Sequence, residues 1–243
     1  MNKLREVHQQ IGLLLEGRHM FQELEEQLMS CIIFPQYNAG EKILELGCYI
    51  GRNTLVIAYL IGNDNCHNLV ALDSSTIYTQ ICKRNLISRG FDNVKVLNRA
   101  ISKIPLMQHS WDTMPYYDHI PDNHHYVNTI EWNELNKSYG PFTYLVVDSE
   151  GSLYYVLKEN PDFLDNIKLI IIENDFHSRV HLNYVNNAFK NANFTCSYKR
   201  GIDDFLGEKR DDFYCIWIKQ DNIISQLQKI GTFFYNKPII PTV

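Results

Sequence analysis

The chain has 243 residues, of which 45% are hydrophobic and 21% charged, a balance typical of a folded globular protein and not of a disordered one. Its 23 basic and 28 acidic residues give a formal charge of −5, which argues against general nucleic-acid binding because that function needs a basic surface. No apolar run approaches the roughly 20 residues that span a bilayer, and the N-terminus is too polar for a secretory signal. The six cysteines show no metal-ligand spacing and predict free thiols. We expect a cytoplasmic protein with neither a nucleic acid nor a membrane as its partner.

Residues 1–38 are predicted to form an N-terminal helical extension, because apolar residues recur there at spacings of three and four. Gly12 and Gly17 interrupt this pattern, so two short helices are an alternative to one long helix. Amphipathic helices of this kind usually pack on their own sheet. A homodimer interface is the other role that we keep open for them.

Seven short apolar runs follow and alternate with helical segments, which predicts a Rossmann-like, doubly wound and mostly parallel sheet of α/β class over residues 39–220. Residues 221–243 are predicted to be a C-terminal helix and tail. The predicted strands are Ile43–Leu46, Leu69–Leu72, Val94–Leu97, Phe142–Val147, Leu169–Ile172, Phe194–Tyr198 and Phe213–Ile218. The segment 105–126 breaks this rhythm with many aromatic and histidine residues, and we interpret it as an irregular lid or substrate loop rather than a plain surface excursion.

A glycine turn joins the first strand to its helix, with Gly47 and Gly51 as its glycines. Tyr49 stands where the dinucleotide fingerprint needs glycine, which disfavours an NAD-dependent oxidoreductase. Asp73 ends the second strand, 22 residues after Gly51, where a carboxylate can accept hydrogen bonds from ribose hydroxyls. The alternatives are an ordinary strand-to-helix turn and a helix cap. The combination points to S-adenosylmethionine rather than NAD.

Acidic residues also follow the fourth and fifth predicted strands. Asp148 comes first, and Glu173 and Asn174 follow the next strand, with His177 close behind. Because ligands of open α/β sheets bind beyond the carboxyl ends of the strands, we predict Asp148, Glu173 and His177 as catalytic residues, with Asp148 as the leading general base. The oxygens of Asp148, Glu173 and Asn174 suit Mg²⁺ as an optional second cofactor. Helix capping by Asp148 and a surface position for His177 are the alternatives.

Taken in order, these motifs resemble the FkbM-type methyltransferases, within the class I S-adenosylmethionine-dependent group. The matching blocks are Glu45-Leu46-Gly47-Cys48-Tyr49-Ile50-Gly51, Leu72-Asp73, Thr129-Ile130-Glu131-Trp132, Asp148-Ser149-Glu150-Gly151 and Glu173. The resemblance implies a seven-stranded sheet whose last strand is antiparallel, and transfer of a methyl group to a hydroxyl of a sugar or other small molecule. The cofactor-binding residues that it implies are Glu45, Gly47, Tyr49, Gly51, Asp73, Ser74, Ala100 and Asp148.

Two positions depart from the family pattern near its acidic block. Val146 stands where the family often has lysine, and Leu153 where it often has a second glutamate. These departures leave a non-catalytic, methyltransferase-like binding module as the alternative function. The intact Asp73, Asp148 and Glu150 favour the enzyme.

Overall fold

The computed structural model describes residues 2–16, 18–116 and 120–220, so the predicted C-terminal helix and tail lie outside the described residues. Its α-helices are α1 (Asn2–Ile11), α2 (Leu24–Ile33), α3 (Arg52–Ile61), α4 (Thr76–Ile87), α5 (Trp132–Tyr139), α6 (Leu153–Glu159) and α7 (Arg179–Asn191). Its strands are β1 (Leu14–Leu15), β2 (Arg18–His19), β3 (Ile43–Leu46), β4 (Leu69–Asp73), β5 (Lys95–Asn98), β6 (Ala100–Ile101), β7 (Leu106–His109), β8 (Asp112–Pro115), β9 (His125–Val127), β10 (Thr129–Ile130), β11 (Tyr144–Val147), β12 (Leu169–Glu173), β13 (Phe194–Phe205) and β14 (Glu208–Lys219). Among these described helices, none is both long and apolar enough to cross a membrane.

The central sheet has seven strands in the order β13-β14-β12-β11-β3-β4-β5. All of its neighbouring strands pair in parallel except at β14, which runs antiparallel to both β12 and β13. The predicted Rossmann-like sheet with an antiparallel last strand is therefore confirmed. In the register of the sheet, Val147 lies beside Leu46 and Ile172, so β3, β11 and β12 end level with one another at one edge.

Alternation of side chains along the buried strands divides the core into two layers. Ile43 belongs to the cluster under α1 to α4, whereas Leu44 belongs to the cluster under α5 to α7. Because successive side chains of a strand point to opposite faces, a continuous apolar run serves both layers. Truncating a fully buried leucine such as Leu44 would cost about 2–5 kcal/mol of unfolding free energy.

The N-terminal extension consists of two helices with the short antiparallel pair β1–β2 between them. Gly12 ends α1 with a φ of +82°, so the two-helix alternative is the one observed. Both helices pack against α3, and α2 also contacts β12 and β14. The extension therefore lies over the half of the sheet that runs from β3 to β14.

The described part of the segment 105–126 contains strands and is not wholly irregular, which corrects the sequence prediction. Strands β7, β8 and β9 form a small antiparallel sheet in the order β8-β7-β9. The tight connection between β7 and β8 carries Ser110, whose φ is +53°, and Trp111. In these three strands, main-chain N–H and C=O groups pair with one another. In an irregular loop of this length, many of those groups would have to bond to water instead.

Candidate functional site

A cavity of about 670 Å³ opens at the carboxyl ends of β3, β4, β11 and β12. This is the edge where open α/β sheets bind their ligands, and the volume is that of an ordinary small-molecule site. The N-terminal segment, the ends of the sheet strands and the β7–β9 sheet all contribute walls. Its lining includes Arg18, Gln22, Glu23, Gly47, Tyr49, Asp73, Ser74, Tyr78, Arg99, Ala100, Gln108, Trp111, Asp148, Glu150, Tyr155, Glu159 and Glu173.

Gly47 begins the turn that forms the floor of the cavity. Its φ is +87°, and its amide and that of Cys48 both donate to the carbonyl of Leu72, at 2.9 and 3.0 Å. A Cβ added to Gly47 would lie 1.5 Å from the main-chain oxygen of Asp148. Glycine is required here both for the left-handed backbone and for the close approach of the turns after β3 and β11.

Gly51 serves packing, since it is not part of the cavity lining. It precedes α3 with a φ of +90°, and an added Cβ would lie 2.8 Å from the Sγ of Cys82 on α4. Gly51 therefore lets α3 approach α4. Tyr49, between the two glycines, also has a left-handed backbone, with a φ of +44°.

The carboxylate of Asp73 lies at the cavity wall with both of its oxygens held by main-chain amides. Tyr49 N donates to Oδ2 at 2.9 Å, and Ser75 N donates to Oδ1 at 2.8 Å. Burial raises the pKa of Asp73, against these two hydrogen bonds. Ser75 itself caps α4 by accepting a hydrogen bond from Tyr78 N, so the capping role falls on Ser75 and Asp73 faces the cavity.

Three aromatic rings form one wall of the cavity. Trp111, from the β7–β8 connection, stacks on Tyr78 of α4 with ring centroids 5.4 Å apart and planes 11° apart. Tyr49 meets the edge of both rings, at 4.3 Å from Tyr78 and 5.3 Å from Trp111. The Tyr49 ring thus belongs to this aromatic wall of the cavity, whose lining also includes Gly47.

Three carboxyl groups meet deep in the site. Oxygen atoms of Glu26, Asp148 and Glu173 all lie within 4.8 Å of one another. Burial raises the pKa of both Asp148 and Glu173, and neighbouring carboxylates raise it further. Two of the three predicted Mg²⁺ ligands, Asp148 and Glu173, therefore come together, and Glu26 joins them. Asn174 is fully buried and donates through Nδ2 to the carbonyl of Asp212 at 2.6 Å, and its role as a ligand stays a prediction.

Two further predicted site residues do not line the cavity, although one of them, His177, is near enough to the lining residue Glu150 to oppose the rise that burial causes in its pKa. His177 is exposed, and the ring near it is Phe205, with centroids 6.1 Å apart. Glu45 is only 2% exposed and sits in the core beneath the glycine turn. Burial, with the charges of Glu23 and Asp73, raises the pKa of Glu45 to about 8. Ser74, Ala100 and Asp148, in contrast, line the cavity as expected.

The sequence prediction missed the wall that the N-terminal segment provides. Arg18, Gln22 and Glu23 line the cavity, and Arg52 at the start of α3 holds this wall in place. The guanidinium of Arg52, only 2% exposed as a residue, donates to the carbonyl of His19 at 3.1 Å and to the side chains of Gln22 and Glu23. No motif marks this wall, because its residues lie between two helices and meet Arg52 only in the fold.

No protein-family model matches the sequence, and no curated protein sequence matches it. Among solved structures, the chain is similar to an O-methyltransferase from Bacillus cereus in complex with SAH, with 14% identity, a TM-score of 0.49 and coverage of 90% of this chain and 91% of that one. It is also similar to the O-methyltransferase TomG from Streptomyces achromogenes in complex with SAM (11% identity, TM-score 0.48, 90% and 88% coverage). An rRNA methylase from Streptococcus thermophilus is a third similar structure, with 11% identity, a TM-score of 0.47 and coverage of 79% of this chain and 94% of that one.

Proposed function

We propose that the protein is an S-adenosylmethionine-dependent methyltransferase of the FkbM type, acting on a hydroxyl of a sugar or other small molecule. The observation that carries this proposal is the carboxylate of Asp73, held by two main-chain amides at the wall of a cavity whose floor is the turn at Gly47. A nucleoside needs both features, one for its ribose hydroxyls and one for close approach to the backbone.

The proposed roles divide along the cavity. When bound, S-adenosylmethionine supplies a methyl group that its sulfonium already activates. Asp73 accepts hydrogen bonds from the ribose hydroxyls, and the stack of Trp111 on Tyr78 keeps water from that end. At the other end Asp148, as the first-choice general base, takes the proton of the acceptor hydroxyl when it is ionised, and its raised pKa makes the ionised form a stronger base. The main catalytic contribution of the protein is then to orient the acceptor oxygen toward the methyl carbon.

A small polar acceptor is favoured over RNA by the charges around the cavity. Four acidic residues line the part near the ends of β11 and β12, namely Asp148, Glu150, Glu159 and Glu173. Carboxyl groups form hydrogen bonds with sugar hydroxyls in either protonation state, and the formal charge of −5 on the chain as a whole disfavours a phosphate backbone.

Mg²⁺ stays an optional part of this proposal, with Glu26, Asp148 and Glu173 as the oxygen ligands that the fold brings together. Methyl transfer should be measured in EDTA and again after adding Mg²⁺. A loss that Mg²⁺ reverses would support the ion, and an unchanged rate would remove it from the proposal.

The test of the function is calorimetry followed by an activity assay. S-adenosylmethionine and S-adenosylhomocysteine should bind at micromolar concentrations, and NAD should not. Methyl transfer from labelled cofactor to a panel of sugars and small alcohols then separates the enzyme from the non-catalytic binding module, which would bind cofactor without turnover. Asp148→Asn is the matched variant, expected to keep cofactor binding and lose transfer. Failure of the wild-type chain to bind either nucleoside would overturn the proposal.

A further inference from the structure

The N-terminal wall of the cavity contains a cation, Arg18, that forms no ion pair with the part of the chain that the structure describes. Arg18 on β2 is exposed and lines the cavity. Among the ion pairs of residues 2–16, 18–116 and 120–220, none involves Arg18. Its guanidinium lies 5.6 Å from the centroid of the Tyr49 ring, above the glycine turn. Arg18 is therefore fixed near the cavity and free to meet an anion.

The other two arginines of the cavity differ from Arg18, Arg52 in its burial and Arg99 in its position. Arg52 is buried, and its guanidinium donates hydrogen bonds to His19, Gln22 and Glu23. Arg99 directly follows β5, at the far edge of the sheet, and donates to the carbonyl of Asn98 at 2.9 Å. Only Arg18 combines an available guanidinium with a position on the N-terminal side of the cavity.

The order of the strands gives the direction in which a bound nucleoside must run. Asp73 ends β4, and β11 lies two strands further along, about 10 Å away at ordinary strand spacing. The N-terminal extension covers this β3-to-β14 side, since α2 packs on β12 and β14. With the ribose at Asp73 and the reacting centre toward Asp148, the remaining amino-acid end of the cofactor lies under the N-terminal wall.

We propose that Arg18 binds the carboxylate of the amino-acid end of S-adenosylmethionine, while Glu23, on the same wall of the cavity, receives its ammonium group. This inference rests on the proposed function and adds the residue that distinguishes an amino-acid-bearing nucleoside from a plain one. Arginine offers paired N–H donors that match a carboxylate, and the contact is charge-assisted. The N-terminal extension is then part of the binding site and not only a cover for the sheet.

The test compares two ligands that differ only at the amino-acid end. S-adenosylhomocysteine carries that end, and 5′-methylthioadenosine lacks it. Calorimetry on the full chain should give Arg18→Gln an affinity for S-adenosylhomocysteine reduced by about tenfold, with the affinity for 5′-methylthioadenosine unchanged. Arg18→Lys, which keeps the charge but not the paired donors, should fall between wild type and Arg18→Gln.

Arg84→Gln is the matched control. It removes the ion pair that Arg84 makes with Glu16 at 2.7 Å in the same N-terminal segment, but Arg84 does not line the cavity. It should leave both affinities unchanged. If Arg18→Gln leaves S-adenosylhomocysteine binding intact, or weakens both ligands equally, the role of Arg18 is overturned while the proposed function stands. If the wild-type chain binds neither ligand, both fail together.

Discussion

The amide of Tyr49 donates a hydrogen bond to Oδ2 of Asp73 at 2.9 Å, which connects the turn after β3 directly to the end of β4. Tyr49 is the residue that stands where a dinucleotide fingerprint has glycine, and its left-handed backbone makes this contact. Tyr49, whose presence in place of that glycine argues against NAD binding, therefore also orients the carboxylate of Asp73, which is proposed to hold the ribose.

Replacing Asp73 with asparagine should weaken the binding of S-adenosylhomocysteine about tenfold, because an amide offers the ribose hydroxyls one acceptor oxygen in place of two. One of the main-chain amides, of Tyr49 or Ser75, would also lose its acceptor, at a cost of about 1 kcal/mol in unfolding free energy. Calorimetry and urea unfolding measure the two effects. Unchanged affinity in a folded variant would remove Asp73 from the site.

Replacing Gly47 with alanine should unfold or strongly destabilise the domain. The new Cβ would overlap the main-chain oxygen of Asp148, and the positive φ adds about 1–2 kcal/mol for any L side chain. Thermal unfolding is the measurement, with Gly62→Ala as the control, since Gly62 has a φ of +80° but no atom within 4 Å of an added Cβ. If Gly47→Ala and Gly62→Ala lose equal thermal stability, the close approach of the turns after β3 and β11 is not what requires glycine at position 47.

The pH dependence of stability should include a contribution from Glu45. Its pKa is raised to about 8 by burial, with the carboxylates of Glu23 and Asp73 nearby, whereas in the unfolded chain it titrates near 4.5. Between these values the folded state binds the extra proton, so unfolding free energy falls as pH rises. The unfolding free energy of the wild type should fall by about 2 kcal/mol between pH 5.5 and 7.5 because of Glu45, and Glu45→Gln should remove this fall.

Urea unfolding of wild type and Glu45→Gln at the two pH values checks this directly. The difference between the two proteins should grow with pH in favour of the variant. A constant difference would mean that Glu45 does not keep its proton in the fold. Because Glu45 lies beneath the turn and not in the cavity lining, the same variant should bind S-adenosylhomocysteine like wild type.

Loss of the Trp111 ring should open the aromatic wall. Trp111→Ala should raise the dissociation constant for S-adenosylhomocysteine about fivefold, since an aromatic pair contributes about 1 kcal/mol beyond its buried area. Trp111→Phe keeps a ring on Tyr78 and should keep most of the affinity. Fluorescence adds a second readout, because Trp111 is 47% exposed while Trp132 and Trp217 are 4% and 5% exposed. Ligand-induced change in emission should disappear in Trp111→Phe.

The central sheet and the glycine turn were predictable because their signals are local. Continuous apolar runs mark strands buried on both faces, and the strand-end rule locates Asp73 and Asp148 at one edge. The strand pairing of segment 105–126 was not predictable, since its prolines and polar residues obscure any alternation. The wall built by Arg18 and Glu23 was not predictable either, because Arg52 and Glu23 are 29 residues apart in the chain and meet only after the helices pack.

The anchoring of the N-terminal wall by Arg52 has a consequence for synthesis on the ribosome. His19 emerges 33 residues before the guanidinium that holds its carbonyl. The segment can dock only when α3 has formed, and the strand before α3, β3, is completed on its two sides by β4 and by β11, the second of which is made about a hundred residues later. The wall segment is therefore made before the arginine that holds it, and it reaches its final position only after that arginine is in place.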